Sequence, residues 1–128
     1  KTNNYREISG VNDKVQLMIM ENELIEKINR RHLQNGVTIH SPQTVVIGMD
    51  VKCRPGSVIN TGSIIIQNSI IEKGAIIGPY SEIKNSIIDE GARVKYSKIK
   101  DSHIKVNSRV GPYVNMIRNA IVPGDYHY

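Results

Sequence analysis

The sequence predicts a mainly-β protein, a parallel β-helix of hexapeptide repeats preceded by one amphipathic helix. Three observations carry this expectation. Isoleucine or cysteine stands at Ile47, Cys53, Ile59, Ile65, Ile71, Ile77 and Ile83, each six residues after the last. Four residues after each of the first six comes a small or slim side chain: Val51, Ser57, Ser63, Ser69, Ala75 and Ser81. The aromatic fraction is 5%, with neither Phe nor Trp. The core therefore falls to Ile and Val, whose β-branched side chains suit strands better than helices.

Residues 1–11 are polar and irregular in pattern. Residues 12–34 read as a helix: Asn12 or Asp13 can accept from the free amides of the first turn, and Asn35-Gly36 offers a left-handed stop. Leu17, Met20, Leu24 and Ile28, flanked by Met18 and Ile25, form an apolar stripe that calls for packing on the chain itself or on a sister chain. Acidic Glu21, Glu23 and Glu26 interrupt the basic residues, which argues against a membrane-surface helix.

From Val37 the texture changes to short Ile/Val-rich pieces broken by Gly, Asn, Ser and Pro. If each hexad is one short strand plus its turn, three hexads make a triangular coil. Large aliphatic residues then stack inward from coil to coil, and the small residue sits at the corner, where there is little room. After Ile83 the spacing shortens: Ile83 to Ile88, Val94 to Ile99 and Ile99 to Ile104 are each five apart, and Ser86, Ser97 and Ser102 keep the small position. Six returns through Val110, Met116 and Val122. Residues 47–128 are thus expected to hold about four coils, tail included. The near-repeat of residues 67–75 at 84–92 is one coil followed by a tightened copy.

With 128 residues the chain has room for one ordinary domain, or for a small domain plus an arm. It begins at Lys1 rather than Met, as a piece of something longer would. The lone Cys53 forms no internal disulfide and occupies an inward aliphatic slot, so a buried thiol is expected. No apolar run approaches the ~20 residues that span a bilayer, and no signal-peptide pattern opens the chain; a cytoplasmic location is expected.

Catalytic signals are sparse. His32, His40, His103 and His127 lack metal-ligand spacing, and His103 falls at a turn-like surface position. There is no GxGxxG or GxxxxGK[ST] phosphate loop and no defensible Ser/His/Asp order. A net charge of +5 would favour polyanions only weakly. Arg93, Lys95, Lys98, Lys100, Lys105 and Arg109 alternate with apolar residues and are expected outward on one region of the prism. The bland reading is a solvated face, and an anion-binding patch is the other. With Tyr96 as the only interleaved aromatic, nucleic acid is not an expected partner.

Two strings point further. Gly10-Val11-Asn12-Asp13-Lys14-Val15-Gln16-Leu17 precedes the helix, and Asn35-Gly36-Val37-Thr38-Ile39-His40-Ser41-Pro42 follows it, ahead of the hexads. This order resembles the middle of the bacterial bifunctional UDP-N-acetylglucosamine pyrophosphorylase/glucosamine-1-phosphate N-acetyltransferase family. The resemblance implies the end of a nucleotidyltransferase-type domain at 1–11, a linking helix at 12–35, a lead-in segment at 36–46 and a left-handed β-helix at 47–128. It implies that the parent acetylates glucosamine-1-phosphate with acetyl-CoA and transfers uridylyl from UTP for cell-wall synthesis, using Mg²⁺ and assembling as a homotrimer. By the same resemblance Asn12 is a Mg²⁺ ligand, its partner aspartate lying outside this chain. Val110-Gly111-Pro112-Tyr113-Val114-Asn115-Met116-Ile117-Arg118 resembles the strand leading to an Arg-Pro-Gly segment, which makes Arg118 the contact to the phosphate of glucosamine-1-phosphate. Here Asn119-Ala120 stands in place of Pro-Gly. No catalytic residue is expected in this chain, and neither activity is expected of it alone. The alternative expectation is a non-catalytic hexapeptide-repeat module for trimerisation or binding.

Overall fold

The computed structural model describes residues 11–118 and 120–128, with side chains from residue 13 onward. Helix α1 (Val11–Gln34) ends where Asn35-Gly36 predicts. Gly36 takes φ +94°, its amide bonds to Leu33 O, and Val37 N reaches back to His32 O at 3.0 Å. These two bonds satisfy carbonyls that the last turn would otherwise leave open, and the positive φ requires glycine.

Among the described residues the chain then winds through fifteen short strands, three to a coil. The first coil holds β1 (Thr38–Ile39), β2 (Val46–Ile47) and β3 (Lys52–Cys53), and the second β4 (Val58–Ile59), β5 (Ile64–Ile66) and β6 (Ile70–Ile71). The third holds β7 (Ile76–Ile77), β8 (Glu82–Lys84) and β9 (Ile87–Ile88). β10 (Arg93–Val94), β11 (Lys98–Lys100) and β12 (His103–Ile104) form the fourth. β13 (Arg109–Val110), β14 (Asn115–Met116) and β15 (Ile121–Val122) form the fifth.

Every third strand pairs in parallel, giving three five-stranded faces: β1-β4-β7-β10-β13, β2-β5-β8-β11-β14 and β3-β6-β9-β12-β15. The result is a three-sided β-solenoid, consistent with the left-handed hexapeptide winding. Five strands per face make five coils, one more than the hexads from Ile47 count. The first was hidden because a 3₁₀ turn at Pro42–Thr44 separates Ile39 from Ile47 by eight residues and breaks the period. At the far end the tail starts a further turn on the first face: Arg109 bridges His127, and Arg109 N bonds to Tyr126 O at 2.6 Å.

Inside, the aliphatic residues form three stacks: Ile39-Ile59-Ile77-Val94-Val110, Ile47-Ile65-Ile83-Ile99-Met116, and Cys53-Ile71-Ile88-Ile104-Val122. All are buried except Cys53, which closes the end of its stack and is only half-covered. The small residues at the corners are buried as their size requires.

The helix stripe is covered at one end only. α1 packs against the first coil, where Ile28 and Asn29 are buried, and the Asn29 Nδ2 donates to Pro42 O and Val45 O at 3.1 and 3.0 Å. Leu17, Met20 and Leu24 remain exposed, because the helix runs past the edge of the prism.

Candidate functional site

Corners between the second and third faces carry a column of polar side chains, one in each of the second to fifth coils. Asn68, Asn85, Asp101 and Arg118 follow the strands of the second face in successive coils. The short corner at Asn85 and at Asp101 is a single left-handed residue (φ 48° and 52°), a conformation that Asn and Asp tolerate best after glycine. Together with His103, Ile70, Ile87 and Ile121 these residues line an open cavity of about 600 Å³. Asn85 Nδ2 donates to Asp101 Oδ1 at 2.7 Å, which fixes the middle of the column.

Arg118 is exposed at the top of the column and forms no ion pair among the described residues. Its fork is therefore available to an oxyanion. His103 is not at a turn, as its position in the hexad had indicated. It faces outward from β12, half-covered, and shares a 2.9 Å hydrogen bond between Nε2 and Asp89 Oδ2. Sequence reasoning missed this pairing, because Asp89 and His103 meet only when one coil is laid on the next. Ser102, which also lines the cavity, is buried and donates to Lys100 O at 2.8 Å, so it is a structural hydroxyl rather than a nucleophile. The arrangement can hold an anionic group beside an oriented imidazole.

The other predicted residues are dispersed. Asn12 lies on α1, more than 100 residues from Arg118 in sequence, and its side chain falls outside the described residues. Among the described residues no three His, Cys, Asp or Glu side chains converge as a metal site would require, so these residues do not fit Mg²⁺ by themselves. Burial pushes the Cys53 thiol up to about 12, which keeps it protonated and unreactive.

The six basic residues are all exposed but do not share one region. Arg93 and Arg109 stand on the first face and Lys98 and Lys100 on the second, while Lys105 follows β12 at the corner beyond the third. Strands of two or three residues turn to a new face at every corner, so a run that is continuous in sequence is distributed around the prism.

Fold and column define the class: a hexapeptide-repeat β-solenoid with an arginine at the open corner of its last full coil. No protein-family model matches the chain. In sequence it is 42% identical over 115 residues to the bifunctional protein GlmU of Staphylococcus haemolyticus, covering 90% of this chain and 26% of that protein. It is 38% identical to GlmU of Clostridium novyi (84% of this chain, 24% of that protein) and 38% identical to GlmU of Thermoanaerobacter pseudethanolicus (91% and 25%). The chain is thus a relative of the bifunctional GlmU proteins, and it spans about a quarter of the length of those it matches.

Proposed function

We propose that the chain contributes the linking helix and the first coils of the β-helix to a GlmU-type enzyme. That enzyme would acetylate glucosamine-1-phosphate with acetyl-CoA and transfer uridylyl from UTP, giving UDP-N-acetylglucosamine for cell-wall synthesis. The observation that carries this reading is the alignment itself: 38–42% identity over most of the chain, to proteins that are named bifunctional. Arg118 supports it, because its guanidinium, without an ion-pair partner among the described residues, stands at an exposed corner and suits the phosphate of a sugar phosphate. Neither active site is complete in this chain. Mg²⁺ and acetyl-CoA belong to the reactions of the whole enzyme, Asn12 being the one residue here proposed as a metal ligand. The enzyme is proposed to work as a cytoplasmic homotrimer; no helix of the described residues is long and apolar enough to cross a membrane.

A chimaera tests this. The chain replaces the matching quarter of the Staphylococcus haemolyticus protein, and both reactions are assayed. Both activities are expected to survive. Arg118→Ala in the chimaera should then lower acetyl transfer roughly tenfold or more, the cost of losing a charge-assisted phosphate contact, and leave uridylyl transfer intact. A folded chimaera that performs neither reaction would instead favour a non-catalytic trimerisation module, and an active one in which Arg118→Ala changes neither reaction would remove Arg118 from the phosphate contact.

A further inference from the structure

Outward charges on two faces of the prism have opposite charges nearby. On the second face Glu82 stands beside Lys98, and on the third Asp89 holds His103. Lys84 and Lys100 are also neighbours on the second face, but Glu82 shares a strand with Lys84, and Asp101 follows Lys100. The first face differs. There the register places Arg93 directly beside Arg109, and the bridge to the tail sets His127 on the far side of Arg109. Neighbouring strands lie about 4.8 Å apart, and like charges directly opposite each other destabilise a sheet.

Lys95, just past the end of β10, adds a third fixed cation. Arg93, Lys95, Arg109 and His127 share one cavity of about 380 Å³, and no Asp or Glu side chain lines it. Neither arginine is ion-paired among the described residues. An uncompensated column of this kind costs stability when empty and gains it when an anion enters. The cavity lies in the range of about 300–1,000 Å³ typical of small-molecule pockets.

We propose that this column is a binding site for a diphosphate group, the Arg93 and Arg109 forks each taking one phosphoryl, with Lys95 beside Arg93 in the same coil and His127 beyond Arg109. Arginine suits this work because its planar donors match phosphate oxygens two at a time. Arg93, Lys95, Arg109 and His127 stand apart from the Arg118 column, and the proposal depends on neither activity of the parent enzyme.

The test is calorimetric titration of the whole chain with inorganic pyrophosphate and, separately, with a nucleoside diphosphate, ionic strength being held constant with chloride. Saturable binding at one site is expected. Equal affinity for the two ligands identifies the diphosphate group alone as the determinant, and tighter binding of one identifies its carrier. Arg93→Gln and Arg109→Gln should each weaken binding roughly tenfold or more. Arg93→Lys, which keeps the charge and loses the fork, should fall between, and Lys98→Gln on the second face should change nothing. In chloride alone, Arg93→Gln should unfold at or above the wild-type temperature, because it relieves a like-charge contact. The proposal is overturned by the absence of saturable heat, by Gln variants that bind like wild type, by equal damage from Lys98→Gln, or by a fall in the unfolding temperature of Arg93→Gln.

Discussion

Serine and alanine are not interchangeable at the buried corners, although either is small enough. Where a corner keeps its full turn, the small residue bonds its amide within that turn: Ala75 N to Glu72 O and Ala92 N to Asp89 O, both at 3.1 Å. Where the corner shrinks to a single left-handed residue, no such carbonyl is in place. The amide then reaches a serine hydroxyl one coil below: Ser86 N to Ser69 Oγ, Ser102 N to Ser86 Oγ and Ser97 N to Ser81 Oγ. Each hydroxyl satisfies a buried donor that would otherwise cost about 1–3 kcal/mol. Ser86→Ala should accordingly lose about that much stability in chemical denaturation, while Ala92→Ser should cost less. The sequence shows the spacing and the size at these positions plainly, since both repeat. The hydroxyl's work was legible only as a hint, in that the amides it satisfies, those of Ser86, Ser97 and Ser102, all fall on the five-residue steps.

Helix α1 divides into a half that caps the prism and a half that does not. Ile28 closes the bottom of the core, and Asn29 ties two carbonyls of the first coil, whereas Leu24 is 45% exposed. Ile28→Ala should therefore cost about 2–5 kcal/mol, and Leu24→Ala within about 0.5 kcal/mol, by the same denaturation measurement. His32, half-covered near the helix end, adds a pH dependence. Burial first, and the neighbouring Arg31 second, hold its pKa below the usual 6.5. The unfolded chain binds that proton more readily, so stability is complete above about pH 6.5 and declines as the pH falls through the window below it. His32→Gln should flatten this decline in unfolding temperature. The amphipathic stripe was legible from periodicity alone. How far along the helix it would be covered was not, because that depends on where the helix axis leaves the edge of the first coil.

At the scale of the whole molecule, a short inward list specifies a long prism. Among the described residues fifteen inward positions in three stacks hold five coils, and the repeated stretch at residues 67–92 builds that wall while its corner residues Asn68 and Asn85 line the open cavity. Neighbourhoods on the outer surface escaped the sequence for a common reason. Asp89 with His103, Asn85 with Asp101 and Arg93 with Arg109 are each 14–16 residues apart and meet only through coil-to-coil register. A period read along the chain locates the core, while the surface chemistry requires the coil length at each corner, and that length varies. The central proposal is that this chain acts as scaffold within a GlmU-type enzyme and supplies only one edge of each reaction site. Turnover by the purified 128-residue chain, at micromolar concentration with Mg²⁺ and both sets of substrates, tests it most directly. The account predicts no UDP-N-acetylglucosamine and no acetylated glucosamine-1-phosphate above the uncatalysed background. Sustained formation of either, lost on Arg118→Ala or Asn12→Ala, would contradict it.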